Sequence, residues 1–507
     1  MAGAAALAGA RFGSGISLAQ TRAYGFPRVS LPEWPSRADL FGPGADAVWA
    51  RLLSTSTLLA VTVDNTLVGS LAVMSVLSDD RTSLDLTIRP DALFADGAQV
   101  TAVDVVASLR HAWEVQREGD QAWRWENVDS IDLADDDTVT MALRQPDASI
   151  PALLASSRAP ILPEAWIARL DALSEPGVPA SSGAFQLHSF TETRIHFTRN
   201  NGYFQIGRPR IAGLACIAPS SAISRTTDLV AGDVDLLIEA PLLDIPTLRE
   251  NPNITLVGGP TNRLCLLQVN LSRPRLADRR MRSLISSAID REDLARAATA
   301  GEAVPASSLI PQGHWAALDA GVAVSAADDV RGQLQALGEP PGMELRLIAS
   351  SRDASLANAC VLLQEQFAWA GIALALDLLD DAELDAAMTG GDWDLQMTYM
   401  PWWRDPHELI RPLVVSGAAM NASGYESNRV DYLAGLACRA RNQQERGYLY
   451  RAIQEIVARD APVIPLFFPN HYDAMNERLE SYPFYPPESA AAMARVTMRE
   501  PEPAGSP

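Results

Sequence analysis

Leu86-Thr87-Ile88-Arg89, then Phe94-Ala95-Asp96-Gly97, then Val100-Thr101-Ala102-Val103-Asp104-Val105-Val106-Ala107-Ser108-Leu109 is the stretch on which the reading of this chain turns. Residues 84–88 alternate apolar and polar side chains, the period of a half-buried strand. Asp96-Gly97 then reads as a turn, glycine supplying the backbone freedom. Thr101 is placed to cap a helix, with Asp104 near the positive end of the helix dipole. Val103, Val106, Leu109 and Trp113 are expected to form that helix's apolar face.

Outward from this unit, 128–143 reads as strand, acidic turn at 135–137, strand, and 195–199 and 254–257 read as further strands. Helical periodicity runs through 282–297 and 446–457. A strand at 345–348, a helix at 356–370 stopped by Gly371 and a strand at 372–378 make an α/β unit. No internal repeat is visible, and the proline-bearing tail at 486–487 and 501–507 is expected to be loosely ordered.

The chain has 507 residues, 48 % of them hydrophobic, and a formal charge of −21. The length suits about two to five domains with cores large enough to need neither disulfides nor a structural metal. The acidic balance argues against duplex nucleic acid, which draws on a basic surface. All 41 basic residues are arginine. Without lysine there is no Walker A loop, no Schiff-base chemistry and no kinase lysine, so any side-chain recognition of an anion falls to guanidinium. A GC-rich coding bias would also produce this composition.

No window approaches a membrane span, while the alanine-rich 2–10 with Ser17-Leu18-Ala19 looks like the apolar region and cleavage site of a signal peptide lacking its basic start. Cys216, Cys265, Cys360 and Cys438 are too widely spaced for zinc, and stand equally well as disulfides or buried thiols. The hydrolase elbow, dinucleotide turn, HExxH and EF-hand motifs are missing and the six histidines are scattered, which disfavours an enzyme.

The densest recognition chemistry is Tyr399-Met400-Pro401-Trp402-Trp403-Arg404-Asp405-Pro406-His407. A stiff loop of this kind offers ring faces for stacking and a guanidinium fork for a carboxylate. The same residues also suit a hydrophobic corner in which both tryptophans pack inward and Arg404 pairs with Asp405 or Glu408.

Taken together, the landmarks resemble the extracellular solute-binding proteins of family 5, the periplasmic dipeptide- and oligopeptide-binding components of ABC importers. The opening stretch is similar to that family's "LR … FxDGxxxTAxDVxxS" signature. In order follow Ser182-Gly183-Ala184-Phe185, Arg199-Asn200-Asn201-Gly202-Tyr203-Phe204, Gly232-Asp233-Val234-Asp235, 278–282 with Ala288-Ile289-Asp290-Arg291, then Gly371-Ile372, Asp392-Trp393-Asp394, Asp405-Pro406, 421–425, Asp431 and Asp460-Ala461-Pro462 with Pro465. The match spans about 70–465, and its landmarks read mostly as architecture.

The resemblance implies an α/β, type II (cluster C) periplasmic-binding-protein fold: two α/β lobes around a cleft, plus an inserted domain. It implies lobe I at 20–50, 178–269 and 463–507, the insertion at 51–177 and lobe II at 270–462, with 1–19 a residual signal segment. It further implies an exported, periplasmic, monomeric protein, peripheral to the membrane. The partners would be a peptide or peptide-like solute and ABC permease subunits, with no cofactor, no metal and no catalysis. Tyr399, Trp402, Trp403, Arg404 and Asp405 are the expected ligand-binding residues. Peptide-binding members carry an aspartate four residues before the loop's proline, for the peptide amine; here that position is Trp402. A ring cannot neutralise a buried ammonium. This points to a solute whose carboxylate or phosphate meets Arg404 or whose ring stacks on Trp402, unless another acid of the cleft takes the missing one's place. A sensory or chaperone-like binder on the same scaffold, and a peptidase, are the competing classes.

Overall fold

The computed structural model describes residues 26–32, 34, 48–170, 177–219, 224–318, 330–483 and 492–499. The signal-like segment, most of 20–50 and the proline-bearing tail lie outside the described residues.

The opening stretch folds as its chemistry dictates. Strand Ser83–Ile88 sits inside a four-stranded antiparallel sheet, between Ala72–Leu77 and Thr138–Leu143, with Val128–Leu133 beyond. Asp96 Oδ1 accepts from the Ala98 amide at 3.0 Å, and Gly97 takes φ +90°. Thr101 and Asp104 form a reciprocal capping box on helix Ala102–Gln116, a feature worth about 1 kcal/mol. Of the expected face, Val106 and Leu109 are buried and Trp113 packs against the core, whereas Val103 is 49 % exposed and Val105 and Ala112 are buried with the face instead. Asp104 turns inward, its second oxygen accepting from the Glu164 amide at 2.9 Å. Helix and sheet enclose one core around Leu86, Val105, Trp125, Val139 and Met141.

This body is inserted into a larger one, and its entry and exit touch. Ser56 N donates to Ser182 Oγ at 2.9 Å, and Ser182 Oγ donates to the Ile161 carbonyl at 2.6 Å. A Cβ at Gly183 would lie 2.7 Å from the backbone of Ser54 and Thr55. Only glycine permits that approach.

The larger body is a twelve-stranded mixed sheet in two halves. In the first half, Arg28–Ser30 runs parallel to Gly213–Ile217 and Leu236–Leu237. In the second, Met343–Ser350 runs parallel to Ile372–Leu379 and Leu395–Met400. The long strand Val463–Asn476 belongs to both: its beginning pairs with Leu264–Val269 and its end with Ile254–Pro260. The chain thus crosses between halves twice, at 261–263 and near 468–470. These pairings place Leu264–Val269 and Val463–Phe467 in the second half, whereas the sequence reading put both in lobe I. Leu264–Val269 is buried throughout because it lies between two strands and two cores.

One helix expected over 282–297 is two, Arg279–Ser287 and Arg291–Ala298. Asp290 caps the second, accepting from Asp293 N at 2.9 Å, while Arg291 donates to the carbonyls of Ser286 and Pro465. The four cysteines are buried free thiols.

Candidate functional site

Register decides where a site can form. Leu236 pairs with Met475 and Leu237 with Ala474, so the first half's parallel strands end toward the crossings. Met400 pairs with Leu264, so the second half's parallel strands end there too. Two sets of strand carboxyl ends therefore face each other across the crossings, the place where open α/β sheets bind ligands.

The five expected site residues are distributed over this region rather than gathered on one surface. Trp403 is 1 % exposed, its ring against the edge of His314 at 5.0 Å, inside the second-half core. Burial lowers the His314 pKa to about 4, keeping it a neutral wall. Asp405 caps helix Pro406–Val414 and receives a bidentate pair from Arg446 at 2.6 and 2.8 Å. Arg404 is buried, its amide donating to Glu408 Oε2 at 2.7 Å and its guanidinium 4.0 Å from Glu408 and 5.1 Å from the Trp402 ring centre. Trp402 is half-buried against the inserted body's core. Tyr399 packs on the opposite face of the sheet from Met400 and Trp403, because neighbouring strand residues point to opposite faces. The hydrophobic-corner alternative thus describes Trp403, Arg404 and Asp405.

The loop is also a seam. Glu408 accepts from Arg124 of the inserted body, Arg411 pairs with Glu126 at 2.9 Å, and Cys438 Sγ donates to Asp147 at 3.0 Å. Burial pushes the Glu408 pKa up, but the charges of Arg124 and Arg404 outweigh it and hold it below the usual carboxylate range. An open groove of about 650 Å³ beside this seam, lined by Trp113, Trp123, Arg117 and Arg411, shares no residue with the crossings.

At the crossings the polar groups are arranged differently. Asn262 donates to the Trp403 carbonyl at 2.7 Å, tying the 261–263 crossing to the loop. The next residue, Arg263, lies over the Tyr399 ring at 4.3 Å and has no carboxylate partner among the described residues. Ser355 Oγ donates to Asp353 at 2.6 Å, so the 2.9 Å contact from Tyr399 Oη is a donation from the tyrosine.

On the first-half side, Glu239 follows the end of strand Leu236–Leu237 with φ +51°. That conformation costs an L-residue roughly 1–2 kcal/mol. It is held by Asp473 Oδ1, which accepts from Glu239 N at 2.9 Å, and by Arg225, which donates to the carbonyls of Ile238 and Glu239. Asp473 also takes His471 Nε2 at 3.1 Å and Tyr482 Oη at 2.8 Å. Burial pulls the His471 pKa down, but the charge and hydrogen bond of Asp473, with Glu239 adding, outweigh it against Arg263 and leave it above the ordinary value. Glu239 and Arg263 were not singled out from sequence. Their signal was present: an acid closing the apolar run before Pro241, and a cation opening the apolar strand at 264.

The family pattern of the bacterial extracellular solute-binding proteins, family 5, matches residues 66–421. The chain belongs to that family. Among curated relatives of this family 5 protein, glutathione-binding protein GsiB of Salmonella paratyphi A is 24 % identical over 423 residues, covering 80 % of this chain and 81 % of GsiB. Among solved structures, AgaA from A. tumefacien R10 in complex with agropinic acid superposes with TM-score 0.81 at 22 % identity, covering 94 % of this chain and 99 % of that one. The ABC transporter-associated periplasmic binding protein DppA of Helicobacter pylori, in complex with the peptide STSA, gives 0.80 at 19 %, covering 94 % and 98 %. At these identities the structures establish the fold, the two-lobed α/β type II architecture expected from the sequence. No helix among the described residues is long and apolar enough to cross a membrane.

Proposed function

We propose that this family 5 protein captures a peptide-like small solute in the cleft at the crossings and delivers it, by hinge closure, to the permease of an ABC importer in the periplasm. The observation that carries this is the double crossing: two sets of strand ends face each other across two short connections, the arrangement a hinge requires. The names of the relatives, a glutathione binder and a peptide-loaded periplasmic protein, support the solute class. Tyr399 and Trp402 act as walls of the cleft, and Trp403, Arg404 and Asp405 shape the loop from beneath. Trp402 in the place of an acid makes the loop itself a poor receptor for an ammonium group.

Native mass spectrometry of gently purified protein, followed by calorimetric titration with di- and tripeptides, tests the reading. The expected result is one small solute per chain and saturable binding of a di- or tripeptide at one site per chain. Retention of an unrelated apolar or sugar solute, with no response to any peptide, would overturn it.

A further inference from the structure

We propose that Glu239 and Arg263 form a two-point clamp for a zwitterionic solute, Glu239 receiving its ammonium group and Arg263 its carboxylate. The inference rests on the cleft being the solute site and adds the charges that the solute must carry.

The argument begins with what the other charges are doing. Arg225 spends its donors on the Ile238 and Glu239 carbonyls, and His471 is paired with Asp473. Arg404 and Arg124 share Glu408, and Asp405 is closed by Arg446. Glu239 and Arg263 differ from these: among the described residues neither side chain has a hydrogen bond or close ion pair, Arg263 lying over the Tyr399 ring and Glu239 meeting the charges of Arg225 and His471 only at longer range. Both are partly buried, where an unpaired charge is costly unless something arrives to pair it.

Their placement is rigid. Glu239 is fixed through Asp473 on the long strand. Arg263 follows Thr261, whose hydroxyl donates to the Pro469 carbonyl at 2.8 Å and accepts from Arg263 N at 3.2 Å. Arg263 thus belongs to the 261–263 crossing and Glu239 is tied to the long strand just past the other, and the charges of both reach His471, which stands in the strand ladder opposite Gly259. Glu239 also occupies a left-handed backbone position that glycine would hold without strain. A carboxylate on a strained backbone, with no hydrogen bond or close ion pair of its own, suits a binding group. The arginine matches the second end: its planar fork suits a carboxylate.

The test uses three matched peptide mixtures, free di- and tripeptides, their N-acetyl forms and their C-terminal amides, retained on the full chain and read by native mass spectrometry and calorimetry. Wild type is expected to favour the free series at least tenfold over either blocked series. Glu239→Gln should erase only the discrimination against acetylation, and Arg263→Gln only that against amidation. Glu239→Gly, which holds this left-handed backbone position without strain, serves as the second variant and should behave as Glu239→Gln. Equal retention of all three series by wild type, or a uniform loss of every series in each variant, overturns the clamp while leaving the peptide-like reading standing. Retention of none of the three by wild type overturns both.

Discussion

The 401–405 loop and the 261–263 crossing are joined by the Asn262–Trp403 hydrogen bond, yet they use their charges in opposite ways. The loop is crowded with rings and charges, and its charged side chains are answered from inside: Asp405 by Arg446, Arg404 by Glu408, Glu408 by Arg124. The crossing is sparse, and its arginine lies over a ring with no carboxylate partner among the described residues. Density of recognition chemistry therefore coincides with a network of internal pairs, and the proposed solute contacts fall instead where charges lack a close partner.

The hardest test of that contrast is to cut that network. Asp405→Ala removes a helix cap and leaves Arg446 buried without its partner. It should cost about 3–5 kcal/mol, seen as a lower urea midpoint. A loss under about 1 kcal/mol would mean that the pair behaves as a surface ion pair and that Asp405 is free for a solute.

Glu408→Gln weakens the seam between loop and inserted body, with an expected cost near pH 7 of about 2–3 kcal/mol. Because the Glu408 pKa is depressed in the folded protein, its contribution is whole above the unfolded value of about 4.3 and is lost as pH falls through the folded one. The urea midpoints of wild type and variant should converge in acid. A gap that stays constant down to the acid limit of folding would show that charge is not what Glu408 supplies.

Trp402 lies between the two regions in character, half-buried against the inserted body. Trp402→Ala should cost about 1–2 kcal/mol for the apolar area it uncovers, and should weaken solute retention more than Trp403→Phe, whose ring is wholly interior. The reverse order in calorimetry would place the solute on the inner tryptophan.

Much of this architecture was legible in the sequence because it is local. Thr101 with Asp104, Asp96 with Gly97, and the helix stop at Gly371 before the strand at 372–378 each state their geometry within a few residues. What was not legible depends on partners far along the chain. On helix Ala102–Gln116 Val103 is left exposed while Asp104 turns inward to accept from Glu164, some sixty residues away. The helix at 282–297 broke because Asp290 caps and Arg291 reaches the Pro465 carbonyl. The loop's Asp405 looked available because its partner, Arg446, lies 41 residues further on. Conversely Arg263 and Glu239, each a lone charge at the end of an apolar run, say nothing until pairing brings the two crossings together. Period and capping report the fold; satisfaction of charge, a property of the assembled molecule, reports the site.

The smallest expected effect probes the crossing directly. At φ +51°, Glu239 pays a strain that alanine would keep and glycine would shed. Against that, glycine enlarges the unfolded ensemble by an amount worth roughly 0.5–1 kcal/mol. The balance predicts that Glu239→Gly exceeds Glu239→Ala in stability by about 0.5–1 kcal/mol, measured as the difference in urea midpoint at constant slope. An alanine variant as stable as the glycine one would mean that the backbone there relaxes, and that the carboxylate is not held where the opposite charge on Arg263 can share a solute with it. The two variants remove the same carboxylate, so the comparison isolates the backbone from the charge. If glycine is the more stable of the two while both retain fewer free-amine peptides than wild type, the backbone favours glycine and binding favours glutamate at this one residue, the opposition expected where strain serves function.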